Sequence, residues 1–355
     1  MDTTQRLQAV DSGRLATAKI VPYLGGRRSP VWDRIAARAA GVVARGKPGA
    51  AWLRASRRVD SMLDPATYEA AEDPDHRMPM LPLTDDPSTD AWLDRQRSPG
   101  VSQLLAPGVW VPQGELAVVS AYLERVAGFD EPSLVAAVLA LEAGWLTEGV
   151  DALLDVVRLT DLPIAIVLGD PNDPLERSGS VRGLIALARE LGPRLMVLRC
   201  DLAAIGAVAG GAGLGSVGTS STVRHVVPPG KPAGGSRSDD SPSVLIREHL
   251  AFRRGSLLEQ ARDMGLRFHC SCDVCDGRSL DRFVDRTWAD EAAEHSWLQV
   301  QAVAEGVLDA PVRSRLGAWR HHCAQAVATI EEHSSKARMQ FGIPGALRQW
   351  AHDDY

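Results

Sequence analysis

The chain predicts an α/β fold, an irregular (β/α)8 TIM-like barrel, with an open doubly wound sheet as the alternative. From about residue 100, short apolar runs of strand length alternate with segments of helical periodicity. That alternation is the pattern of βαβ units on a parallel sheet. The units number six to eight, which suits a barrel better than an open sheet. At 355 residues there is room for one large domain or two ordinary ones.

Taken in order, residues 29–46 read as an amphipathic helix, with Trp32, Ile35, Ala39, Val42 and Val43 at helical spacing. Ala50-Ala51-Trp52-Leu53 begins the first strand. The acidic, proline-bearing stretch 64–87 reads as a long surface connection, and Trp92-Leu93 starts a short helix. Strands are expected at 101–105, 133–139, 163–168, 194–198 and 214–218, with helices over 149–159 and 181–191 between them. The second helix carries Leu184, Ile185, Leu187, Ala188 and Leu191 on one face. Residues 228–243 are mostly Pro, Gly, Ser and Asp with nothing to bury, and read as a flexible loop. The run Val244-Leu245-Ile246, a helix over 255–264 and a strand at 266–268 follow. From Asp290 to His333 the chain is mostly helical, broken near Pro311. These elements divide the chain into a barrel, 1–265, with a basic N-terminal segment, and a helical C-terminal subdomain, 266–355.

Composition narrows the function classes. The formal net charge of −6 argues against a surface that coats nucleic acid generally. Charge is uneven, however: residues 1–58 hold twelve Arg or Lys against three Asp, and residues 59–100 hold ten Asp or Glu against three Arg. The basic block, with Arg27, Arg28, Arg34, Arg38, Arg45, Lys47, Arg54, Arg57 and Arg58, is either a phosphate-contacting surface or a solvated face beside the acidic segment. No apolar run approaches a membrane span, and Asp, Arg and Lys interrupt any signal-peptide core. Five cysteines, an odd number and mostly clustered, point to thiolate–metal ligation in a reducing cytoplasm rather than a disulfide framework.

The most specific signal is Cys270-Ser271-Cys272-Asp273-Val274-Cys275, a C-x-C-x-x-C knuckle followed by His295 in a helical run. Three thiolates so close converge on one point about 2.3 Å from each, the Zn–S distance, and a helix-borne imidazole would close a structural tetrahedron. His295 is favoured as fourth ligand over His269, His321 and His322, and Zn²⁺ is the expected cofactor. If the fold is a barrel, its active site lies at the C-terminal ends of the strands. The polar candidates there are Glu142, Asp170, Asp201 and the run 210–225, which ends in Arg224 and His225. Asp170 and Asp201 each also read as a turn or helix cap. The Gly213-x-Gly215-x-x-Gly218 match to a dinucleotide fingerprint precedes no helix and is set aside.

The knuckle with its distal histidine resembles the zinc site of the tRNA-guanine transglycosylases, the queuine and archaeosine tRNA-ribosyltransferases. These are (β/α)8 barrels with a zinc subdomain near the C-terminal end. The likeness is specific over Cys270 to His295 and looser, but in order, over residues 100–225. Ile166-Val167-Leu168-Gly169 resembles the family's I-V-Q-G strand end, with Leu168 where the base-recognising Gln stands. Leu105-Ala106-Pro107-Gly108 falls where the family has T-D-S-G, and the F-D-C-x-x-P-T-R-N-A-R-N-G segment that supplies the nucleophile has no counterpart. The resemblance implies base exchange at an N-glycosidic bond, with tRNA or another nucleic acid as partner and a purine or 7-deazapurine as the base. It also implies assembly as a homodimer or heterodimer. Asp201 and Asp170 would serve as nucleophile and base, while Glu142, Gly169 and Arg224 would contact substrate. The missing segment supports the other class of function, a zinc-containing accessory subunit without catalysis.

Overall fold

The chain is described by a computed structural model covering residues 18–25, 28–56, 61–69, 92–94, 96–97, 103–232 and 239–352. Its large sheet is wholly parallel. The strands are β1 (Lys19–Leu24), β2 (Val42–Arg45), β3 (Ser61–Asp64), β4 (Leu104–Leu105), β5 (Val109–Val111), β6 (Val135–Glu142), β7 (Ile164–Gly169), β8 (Leu195–Cys200) and β9 (Leu214–Gly218). Their hydrogen-bonded order is β3-β2-β1-β9-β8-β7-β6-β4, with β5 also on β6. β4 and β5 are halves of one interrupted strand. Leu105 lies opposite Ala136 and Val109 opposite Leu139, so the link Ala106-Pro107-Gly108 carries one extra residue. Helices α1 (Val31–Ala37), α2 (Gly46–Ser56), α3 (Leu116–Ala127), α4 (Val150–Val157), α5 (Ser180–Leu191) and α6 (Ala203–Ala209) connect the strands.

The sheet is buried on both faces, as parallel sheets covered by helices are. Along β6, Ala137, Leu139 and Leu141 join the core under the helices, while Ala136, Val138 and Ala140 join a second cluster with Tyr23, Met62, Trp110, Val167 and Leu198. That second cluster draws on strands from one end of the sheet to the other, which requires the sheet to curl. The Arg199–Glu69 ion pair makes the same point. Arg199 is on β8 and Glu69 follows β3, four strand positions away, roughly 19 Å across a flat sheet. Between β3 and β4 no ladder forms among the described residues. Instead the Gln96 side chain donates to Leu105 O at 2.8 Å and accepts from Leu105 N at 2.9 Å, taking the place of a neighbouring strand.

The differences from expectation lie in the first quarter. The helix expected over 29–46 ends at Ala37, and the β-branched pair Val42-Val43 enters β2. Ala50 to Leu53, expected as a strand, lie inside α2. There Trp52 packs edge-on to Trp32 and donates to Asp33 at 2.8 Å. Asp64 is not the start of a surface connection but the buried end of β3. The expected strand at 266–268 reduces to one bridge, His269 with Ser279. The glycines of the set-aside fingerprint serve packing: a Cβ at Gly213 or Gly218 would stand 2.2 Å from the carbonyl oxygens of Pro193 and Val223.

After β9 come the hairpin β10 (Ser243–Ile246) and β11 (Ala251–Arg254), α7 (Gly255–Asp263), and three C-terminal helices, α8 (Ala289–Leu308), α9 (Arg315–Ala337) and α10 (Gly345–Ala351). No helix among the described residues is long and apolar enough to cross a membrane. One packing contact yields a sign-reversed prediction. Gly183 sits inside α5, where Ala would ordinarily gain close to 1 kcal/mol, yet a Cβ there would lie 2.0 Å from Leu146 O. Gly183→Ala is expected to lose about 1–3 kcal/mol in urea unfolding; a gain would show that α5 can shift away from the segment below it.

Candidate metal centre and strand-end pocket

The knuckle is a tight turn in which Cys275 N and Asp276 N donate to Cys272 O, both at 2.9 Å, and Gly277 N returns to Cys270 O at 2.9 Å. Asp276 and Gly277 take left-handed backbone (φ 49° and 75°) to make that return. His295 comes from the second turn of α8. The ligand atoms of Cys270, Cys272, Cys275 and His295 lie within 4.8 Å of one another, a geometry compatible with a metal site. His295 Nδ1 stands 3.6 Å from Cys272 Sγ and 3.2 Å from Cys275 Sγ. A tetrahedron with Zn–S near 2.3 Å and Zn–N near 2.0 Å has S···N edges of about 3.5 Å.

The surroundings favour ligation as well. His295 Nε2 is 3.0 Å from Leu245 O. A proton on Nε2 makes that contact a hydrogen bond and leaves the Nδ1 lone pair facing the sulfurs, the arrangement metal-bound histidines adopt. The next residue, Ser296, accepts from Leu245 N at 3.1 Å, so α8 holds β10 from both backbone groups. Cys270 Sγ accepts from Gln299 Nε2 and Cys272 N, each at 3.4 Å, and Cys275 Sγ accepts from Arg282 Nη2 at 3.2 Å. The hydrogen bond with Cys275 holds Cys270 far down, at about 3, while the same bond and burial push Cys275 up. Burial acts to lower His295, but hydrogen bonds with Cys270 and Cys272 carry it to about 9. Without a cation the four groups share protons among themselves, and a bound cation would displace those protons, as ligation by thiolates and a neutral imidazole requires. Cys270, Cys272 and His295 border a cavity of about 320 Å³, which supplies an entry path. His269 faces elsewhere, toward Gly277 O.

The centre is tied to the sheet through α1. Ser29 Oγ donates to Asp290 at 2.6 Å, Arg34 Nε to Glu294 at 2.5 Å, and Arg38 Nη1 to Asp273, inside the knuckle, at 2.7 Å. Arg34, Arg38 and Arg45 of the basic block are therefore in intramolecular ion pairs; Arg27, Arg57 and Arg58 lie outside the described residues.

A second cavity, also about 320 Å³, opens beside the carboxyl ends of β7 and β8 and is closed from the far side by Trp319 of α9 and Trp350 of α10. Three of the sequence candidates meet there, Asp201, Arg224 and His225. Asp201 Oδ1 accepts from Ala203 N at 2.8 Å, so it caps α6 as well as facing the cavity. Arg224 is buried, its guanidinium 3.2 Å from the centre of the Phe252 ring, and burial lowers it to about 9. The other three candidates are not among the lining residues. Asp170 accepts from Asn172 N at 2.9 Å and pairs with Arg177 at 3.7 Å. Glu142 accepts from Gln113 N at 2.9 Å. Gly169 is covered: a Cβ there would meet the Trp110 ring at 2.3 Å and Val226 at 2.8 Å.

Sequence reading missed Asp173, which lines the cavity four residues beyond β7. Burial, and then the charge of Asp201, push it up to about 7. It hides in Asp170-Pro-Asn-Asp-Pro174, which reads as turn chemistry; indeed its Oδ1 accepts from Leu175 N at 2.9 Å. Burial lowers His225 in the same wall, leaving it neutral near pH 7. Burial pushes the Cys200 thiol well up, which removes it as a nucleophile. The arrangement offers one carboxyl group able to hold a proton near neutrality beside another, with aromatic walls. No protein-family model matches the chain, and no curated protein matches it either.

Proposed function

We propose that the chain is a zinc-stabilised protein resembling the tRNA-guanine transglycosylases, acting at an N-glycosidic bond of a nucleic acid or nucleoside. The observation that carries this reading is the Cys3His cluster, packed through α1 and β10 against a curled parallel sheet of the same α/β class. The order of the strands supports reading that sheet as a (β/α)8 barrel whose seam lies between β3 and β4. Asp201 would then act as nucleophile and Asp173 as general acid, donating to the departing base, with Arg224 and the cavity's Trp and Phe rings holding the base in place. Zinc would be structural, since three thiolates and an imidazole leave no open position for substrate.

Incubation with tRNA or DNA and labelled guanine or a 7-deazaguanine tests the reading. Incorporation is expected, and Asp201→Ala should remove it while the protein still melts cooperatively. Absence of incorporation with every substrate would sink it. The pH dependence follows from Asp173: protonated below about 7, it can donate, so exchange is expected to fall as pH rises through that value. Asp173→Asn should abolish this limb and cost about 10²-fold.

One observation favours the accessory-subunit reading instead. Trp110 and Val226 cover Gly169, which matches the family's base-recognising strand end, so a base cannot lie there in this conformation. Salt-sensitive nucleic-acid binding without incorporation would select that alternative.

A further inference from the structure

At the carboxyl ends of β2 and β8, away from the cavity just described, two guanidinium groups grip one carboxylate. Arg45 Nη2 meets one oxygen of Glu69 and Arg199 Nη1 meets the other. Arg199 is only 5% exposed, and its position is built rather than incidental. The β8–β9 ladder slips by one residue between Val197 and Cys200, and Arg199 lies in that bulge with φ at 51°. Glycine is the usual occupant of a left-handed bulge position, and such bulges re-aim side chains next to functional sites. Ser216 Oγ holds the bulge by accepting from Arg199 N at 3.0 Å. Arg199 Nη2 donates to Thr222 O at 2.9 Å, which fixes the plane of the fork. Its Nε is buried without a partner.

We propose that Arg45 and Arg199 form a phosphate-binding site, and that Glu69 is its internal occupant, displaced when a phosphate group arrives. Two guanidinium groups addressing two oxygens of one anion match a phosphate as well as a carboxylate. The neighbouring loop adds donors: the Ser220 and Thr222 hydroxyls lie 3.1 Å apart, and Thr222 is exposed. Among the described residues Asp64 is another acid nearby. Its carboxylate is already taken by Tyr23, Tyr68 and the backbone of Ala66, so it does not compete for the Arg45 fork. With Glu69 displaced, the two guanidinium groups present their positive charge to an incoming anion. This proposal does not depend on base exchange.

The test removes the internal carboxylate while keeping its shape. Glu69→Gln should melt below wild type in chloride and recover in inorganic phosphate at matched ionic strength. Calorimetric titration should show it binding inorganic phosphate at least about 10-fold more tightly than wild type, and adding Arg45→Met should cancel that gain. A nucleoside 5′-monophosphate and a short oligonucleotide lacking terminal phosphates distinguish a phosphomonoester from a backbone phosphodiester as the natural source. Glu69→Asp, too short to span both forks, keeps the charge for folding and should show a smaller gain in the same direction. If neither variant binds phosphate more tightly than wild type, the pair is an ordinary structural ion cluster and the proposal is wrong.

Discussion

Protein carrying Cys275→Ser is expected to be purified with less than about one tenth of the wild-type metal and to unfold roughly 10 °C lower. Cys275 is the buried cysteine of the cluster, and its sulfur takes the Arg282 hydrogen bond at 3.2 Å. Serine keeps the size but not the soft thiolate that structural zinc requires. Zinc-finger peptides derive an apparent 10–16 kcal/mol from such a site. Here only part of that should be lost, because α8 also lies against β10 and buries Trp297, Val300 and neighbouring apolar residues in the main core. A loss of about 3–5 kcal/mol, at 2–4 °C per kcal/mol, gives the stated shift. Chelation of wild type should reproduce it. Cys323→Ser supplies the control, since that thiol is buried in α9 outside the cluster. Elemental analysis of both proteins decides the matter: a Cys275→Ser protein with full metal content would dismiss the site.

Asp64→Ala should destabilise by about 3–5 kcal/mol in urea unfolding. The residue is fully buried. One carboxylate oxygen accepts from Tyr23 at 2.6 Å and Tyr68 at 2.7 Å, the other from Ala66 N at 2.8 Å. Alanine leaves a backbone N–H and one of the two buried phenols without an acceptor, the phenol oxygens being only 3.4 Å apart, and takes a negative charge away from Arg199. Burial, reinforced by Asp64, raises both tyrosines, to well above 10 for Tyr23, so neither phenol ionises to replace the missing charge. Tyr68→Phe removes one donor but strands nothing charged, and should cost about 1 kcal/mol. Equal losses from the two variants would mean that the carboxylate is not the centre of the network.

The parts legible in the sequence were those whose partners lie close along the chain or repeat. The Cys3His set spans 26 positions, and its chemistry follows from residue type and spacing alone. Strands β6 to β9 stand out because burial on both faces demands uninterrupted apolar runs such as Val135 to Leu141. The first quarter misleads for the opposite reason. Val42-Val43 continues a helical spacing from Trp32, and only pairing with β1 and β3 makes it a strand. Asp64 and Glu69 sit in an acidic, proline-bearing stretch that reads as solvated, while the groups that bury them, Tyr23 and Arg199, are 41 and 130 positions away. Asp173 was masked by competent turn chemistry around it. In each case the decisive neighbour was supplied by tertiary structure.

The placement of β1 bears on how the chain is made. Lys19 pairs with Leu214, 195 positions on, so during synthesis β1 has β2 for company long before its second neighbour leaves the ribosome. A nascent chain stopped short of β9 presents an unpaired apolar strand edge to its surroundings, the kind of surface on which aggregation starts and chaperones act. Productive collapse of this protein therefore waits on a late-made strand, and closure of that long loop should govern how fast it folds.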